Sequence, residues 1–193
     1  ITGNVPLKYS IDPVIGVFGV NVRPPFNYDV YYNYIKALAD TLVSEFGINE
    51  VKTWSWGVLT EYENKDWFLA ADSTPTSAKI AYFKLYDYTV AALQSSIGTD
   101  NLIVGAHSMT VTAGLWDELE FIDHVSKGVN YKTGKIGTQL NFLSASYYDL
   151  SPGVAIAHSL TLKNTISKLR GRAIADGLKD LKYGIDEGRI WGG

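Results

Sequence analysis

The chain has 193 residues, 46% apolar content and a formal net charge of −3, enough to bury one compact core. It has no run of lysine or arginine, which excludes the clustered basic surface that binding to a phosphate backbone needs, so nucleic acid is not an expected partner. Cysteine is absent, which removes disulfides, thiolate catalysis and cysteine metal sites together and leaves the redox compartment open.

Residues 14–22 (VIGVFGVNV) form a β-prone run closed by Arg23 and the Pro24-Pro25 pair, which cannot continue a central strand. Tyr31, Ile35, Leu38, Leu42 and Phe46 recur at helical spacing, and Gly47 is the expected helix stop. Residues 51–60 read as a strand that ends at Glu61 in a polar loop. Thr74-Pro75 supplies a cap and a first-turn proline for a helix running to about Ile97.

Residues 102–106 (LIVGA) are a short, wholly apolar run of the kind buried on both faces of a parallel sheet, followed by His107 and Ser108. A helix over 115–127 stopped by Gly128, a strand over 139–146 ending in Tyr147-Tyr148, a helix over 160–181 and a last strand over 183–185 ending in Asp186-Glu187 complete the series. About five strands with four intervening helices make a βα series with parallel pairing, read as a single unit over 1–193.

A dinucleotide-binding sheet would carry a glycine-rich turn after its first strand, and VNVRPPFN has none. A (β/α)8 barrel puts functional residues at the carboxyl ends of its strands, which suits Asn21, Arg23, Glu61, His107, Tyr147 and Glu187, although about five strands make only part of such a barrel. No G-x-S-x-G elbow supports an esterase, and no metal-ligand spacing appears, so neither metal nor cofactor is expected. No apolar run approaches the roughly 20 residues of a membrane helix, and residues 1–10 lack the parts of a signal peptide, so a soluble chain is expected. The 13 tyrosines and five tryptophans suit the stacking and hydrogen bonding of sugars as well as ordinary packing.

The segments WGVLTE (56–61) and YGIDE (183–187) resemble the ends of strands four and seven in clan A glycoside hydrolases, and within them the family 39 β-xylosidase-like enzymes. Residues 82–97 resemble the helix after strand four, and SASYY (144–148) the end of strand six. Thr60 stands where those enzymes have an asparagine, and Asp-Glu-Gly-Arg (186–189) where many have an aromatic after the glutamate. The resemblance covers strands three to seven of the barrel, and implies that other segments or chains complete it.

What the resemblance implies is a retaining glycosidase with a carbohydrate substrate, Glu187 the nucleophile and Glu61 the acid/base. A secreted or periplasmic location goes with it. Trp56, Thr60 and Trp191 would line the sugar site, and Tyr147 or Tyr148 would hold Glu187. His107 either lines that site or caps the following turn, and Asn21 and Arg23 either bind substrate or form a structural contact. Glu63 competes with Glu61 for the same strand face. Asp186 competes with Glu187 but should point to the opposite side of a regular strand. The alternative from another class is a carbohydrate-binding or scaffold protein on a barrel that has lost catalysis.

Overall fold

The computed structural model describes residues 3–110, 114–148 and 162–189. Its elements are α1 (Tyr28–Phe46), α2 (Ile48–Val51), β1 (Ser55–Thr60), α3 (Pro75–Ile97), β2 (Ile103–Met109), α4 (Leu119–Lys127), β3 (Phe142–Tyr148), α5 (Leu162–Ala175) and β4 (Lys182–Arg189). The strands form one parallel sheet in the order β1-β2-β3-β4, a sector of a (β/α) barrel.

Local chemistry sets the helix ends. Asn27 caps α1 by accepting the Asp29 and Val30 amides at 2.9 and 3.1 Å, and Gly47, at φ 80°, releases the chain from its end. Thr74 caps α3 through the Ser77 amide, with Pro75 in the first turn.

The sheet has four strands among the described residues, where the sequence suggested about five. Residues 14–22 are not a barrel strand. The Val22 amide donates to Val14 and the Gly16 amide to Val20, and Gly19 turns at φ 74°, so a local reversal joined by isolated bridges satisfies the backbone. Most of its apolar residues stay outside the core, Val17 being 76% exposed, whereas Val22 at its end is buried. Residues 48–51 take one helical turn, which shortens the next strand to Ser55–Thr60.

Trp56, Val58, Val104, Ala106, Leu143 and Ala145 face the helices and form the main core with Tyr82, Leu85, Tyr86, Leu93, Phe121 and Leu169. Tyr82 and Tyr62 stack at 3.7 Å, and the Tyr82 hydroxyl donates to the Val58 carbonyl at 2.9 Å. The alternate residues, among them Ser55, Gly57, His107, Ser144, Gly184 and Asp186, line the other face, a cavity of about 550 Å³. This face is concave. A flat sheet would hold β1 and β4 about 14 Å apart, yet the Thr60 hydroxyl on β1 reaches the Glu187 carboxylate on β4 at 3.2 Å, which requires the sheet to curl.

Candidate functional site at the carboxyl ends of the strands

Irregular backbone is concentrated at the carboxyl ends of the strands. Leu59, Glu61 and Ser108 have φ of 63°, 38° and 48°, a conformation side chains seldom adopt and which clusters at functional sites. Each ladder also breaks register there, between Gly57 and Thr60, between Ala106 and Met109, and between Ala145 and Ser146. In the last case Ala145 pairs with Ile185 and Ser146 with Glu187, so Asp186 is left out of the ladder as a β-bulge.

The bulge puts two consecutive carboxylates on the concave side. Glu187 accepts from Thr60 Oγ1 at 3.2 Å and from the Tyr148 hydroxyl at 3.0 Å. Asp186 accepts from His107 Nδ1 at 2.5 Å, from Ser108 Oγ at 2.9 Å and from Ser144 Oγ. A contact from β4 to β1 or β2 must cross the concave face, so Asp186 does not point away from Glu187 as strict alternation implied. Burial is the largest influence on the Asp186 carboxyl and opposes its ionisation, but the hydrogen bonds from His107, Ser144 and Ser108 and the electrostatic attraction of His107 together outweigh it and hold its pKa below the ordinary value.

Two glycines make this packing possible. A Cβ on Gly57 would lie 2.6 Å from His107 Cβ, so glycine in β1 admits the imidazole. Gly188, at φ 146°, passes so close to the Tyr147 carbonyl that no side chain fits.

Glu61 follows Thr60 directly and is 8% exposed. Its amide donates to the Ser108 carbonyl at 3.0 Å, tying it to the end of β2, and its carboxylate accepts from Asn64 Nδ2 at 3.0 Å. Glu63 is fully buried and accepts the Thr110 amide. The chain has left the pleat by residue 61, so the two-residue spacing does not put Glu63 and Glu61 on one face.

The remaining expected site residues divide. His107 lines the concave cavity, and Tyr148 rather than Tyr147 reaches Glu187, since Tyr147 lies on the alternate face of β3. Asn21 is a structural bracket: it donates to the Val5 and Arg23 carbonyls and accepts the Val14 and Arg23 amides. Arg23 donates to the Leu69 and Ala70 carbonyls. Trp56 is 4% exposed on the helix-facing side of β1, so it serves the core and not a sugar platform. Trp191 lies outside the described residues.

Asn64 and Ser144 belong to the cluster and were not singled out from sequence. The period-two spacing of Phe142, Ser144 and Ser146 could have indicated Ser144, whereas no sequence pattern marks Asn64. Among the described residues no group of three His, Asp or Glu side chains could hold a metal ion, and no helix is long and apolar enough to cross a membrane.

The model of the glycosyl hydrolases family 39 matches residues 12–182. This chain belongs to that family. The resemblance to that family is therefore borne out; the match includes the first strand-end motif, 56–61, and ends before the second, 183–187. A β-xylosidase of Caldicellulosiruptor saccharolyticus is 26% identical over 159 residues, 82% of this chain and 28% of that protein. A β-xylosidase of Geobacillus stearothermophilus is 33% identical over 86 residues, 45% of this chain and 16% of that protein. A monomeric β-xylosidase from Caulobacter crescentus CB15 superposes with a TM-score of 0.72 at 21% identity, over 97% of this chain and 36% of that one. The family 39 chain thus spans about a third or less of these relatives, and its four-stranded arc is a sector of their (β/α)8 barrel.

Proposed function

We propose that this family 39 chain provides both carboxyl groups of a retaining glycosidase acting on a plant-type or microbial oligo- or polysaccharide, with Glu187 the nucleophile and Glu61 the acid/base. The observation that supports this reading best is the Thr60–Glu187 hydrogen bond across the concave face, because it draws the ends of β1 and β4, and with them Glu61 and Glu187, to one rim. In the first step Glu187 attacks the anomeric carbon while Glu61 gives its proton to the departing oxygen, leaving a glycosyl ester on Glu187. Glu61, now a carboxylate, takes a proton from water, whose oxygen displaces Glu187 and restores both groups. Segments or chains beyond these residues complete the barrel and supply the rest of the sugar site.

The test is hydrolysis of an aryl β-xyloside by the protein with a complete barrel, a substrate chosen because the curated relatives are named β-xylosidases. Glu187→Gln should lower turnover by about a thousandfold or more while sugar affinity persists, and the Glu61 and Glu187 carboxyl groups should lie about 5 to 5.5 Å apart. Full activity in Glu187→Gln would refute the assignment. The second reading is a sugar-binding protein without turnover. It is favoured by Thr60, which stands where the family resemblance gives an asparagine. Sugar binding with no hydrolysis by the unaltered protein would establish it.

A further inference from the structure

In an unbroken β4, alternation from Gly184 would turn Asp186 to the concave face and Glu187 to the helix-facing side. The extra residue at 186 resets that alternation, and Glu187 comes back to the concave face. A bulge needs an anchor, because the residue it ejects loses its ladder hydrogen bonds. The anchor here is made by side chains, since the Asp186 carboxylate takes donors from His107 and Ser108 on β2 and from Ser144 on β3. The imidazole that reaches it does so through the space left at Gly57.

We propose that Asp186 is a positioning residue: its anchorage to His107, Ser108 and Ser144 holds the β4 bulge open, and the bulge aims Glu187 at the sugar rather than into the helix layer. This rests on the reading of Glu187 as nucleophile. It explains why a second carboxylate stands beside the reacting one with donors of its own, while Thr60 and Tyr148 donate to Glu187. It also gives His107 a role, as the donor that bridges from β2 past β3 to the bulge.

The test uses a 2-deoxy-2-fluoro xyloside with a dinitrophenyl leaving group, which arrests a retaining enzyme as its glycosyl ester, in the protein with a complete barrel. Mass spectrometry locates the label, and the concentration dependence separates the maximal labelling rate from the inactivator's binding constant. Labelling of the unaltered protein at Glu187 is expected. In Asp186→Asn and Ser144→Ala the maximal rate should fall, by about a hundredfold for Asp186→Asn, as for a reacting group misplaced by an ångström, with the binding constant unchanged within about threefold. Asp186→Ala should act more strongly, and if it does not fold, the other two variants decide.

Unchanged labelling rates in both Asp186→Asn and Ser144→Ala overturn the positioning role while leaving the glycosidase reading intact. An equal loss of rate and binding also overturns it, because a general loosening of the rim would do the same. No label at Glu187 in the unaltered protein overturns the nucleophile assignment itself, and the role of Asp186 falls with it.

Discussion

Thr60 contributes a single hydroxyl to Glu187, and valine has nearly its shape without the donor. A hydrogen bond to a charged group is worth roughly 1.5 to 3 kcal/mol, so Thr60→Val should lower kcat/KM on an aryl glycoside about ten- to hundredfold. Tyr148 is half exposed and water can replace its hydroxyl, so Tyr148→Phe should cost only about two- to tenfold. Steady-state kinetics on both variants ranks the two donors, and the reverse order would contradict the burial argument. These residue identities were partly legible: Thr60, Glu61, His107, Tyr148 and Glu187 each stand at a strand end. Asn21 and Arg23 stand at the end of a strand-like run and Trp56 within one, yet they serve backbone brackets and core, because sequence shows which residues are polar or aromatic but not which atoms already have partners.

At the scale of elements, two buried or semi-buried networks join the helices. Asp87 of α3 is fully buried and accepts from His124 Nε2 of α4 at 3.0 Å, from the Tyr131 amide at 2.7 Å and from Thr138 Oγ1 at 2.6 Å. Asp87→Ala would strip three donors of their acceptor and should destabilise the protein by about 3 kcal/mol in urea unfolding. Asp123 of α4 receives Arg172 of α5 in a bidentate pair at 2.7 and 2.6 Å. Hydrogen bonds from Arg172 hold the Asp123 carboxyl well below the usual carboxylate range, against the opposing effect of burial. Because the folded-state value is depressed, this stabilisation is present above the unfolded value near pH 4 and is lost as pH falls through the folded one. Arg172→Ala should lower stability modestly at pH 7, the pair being partly exposed. The gap between variant and parent should narrow at acid pH, as chemical denaturation at pH 7 and at pH 2 would reveal. Helix periodicity and caps made α1 and α3 readable in the sequence, whereas the 14–22 run misled because β propensity does not reveal whether a strand pairs locally or across the sheet.

At the scale of the molecule, β1 and β4 form the two ends of the strand order, and the concave face carries Ile103 and Phe142 beside the polar residues. Among the described residues no further strand pairs with either end of the sheet, and unpaired parallel edges invite association. Residues 1–193 alone should therefore self-associate in light scattering at micromolar concentration, whereas the protein with a complete barrel should stay at one size. A monodisperse monomer of residues 1–193 would show that the edges are protected. Gly57→Ala tests the curl itself: the added methyl meets His107 Cβ, and the overpacking should cost about 1 to 3 kcal/mol of stability.

The sequence by itself determined the βα order, the helix stop at Gly47, the family, and the two glutamates at strand ends, because periodicity, capping and local motifs are properties of neighbours along the chain. Only the tertiary structure decided that Asp186 leaves the ladder, that it and Glu187 share one face, and that Thr60 meets Glu187 across two intervening strands. Those facts depend on register and sheet curvature, which are set by contacts between residues up to 127 positions apart and leave no period in the sequence to read.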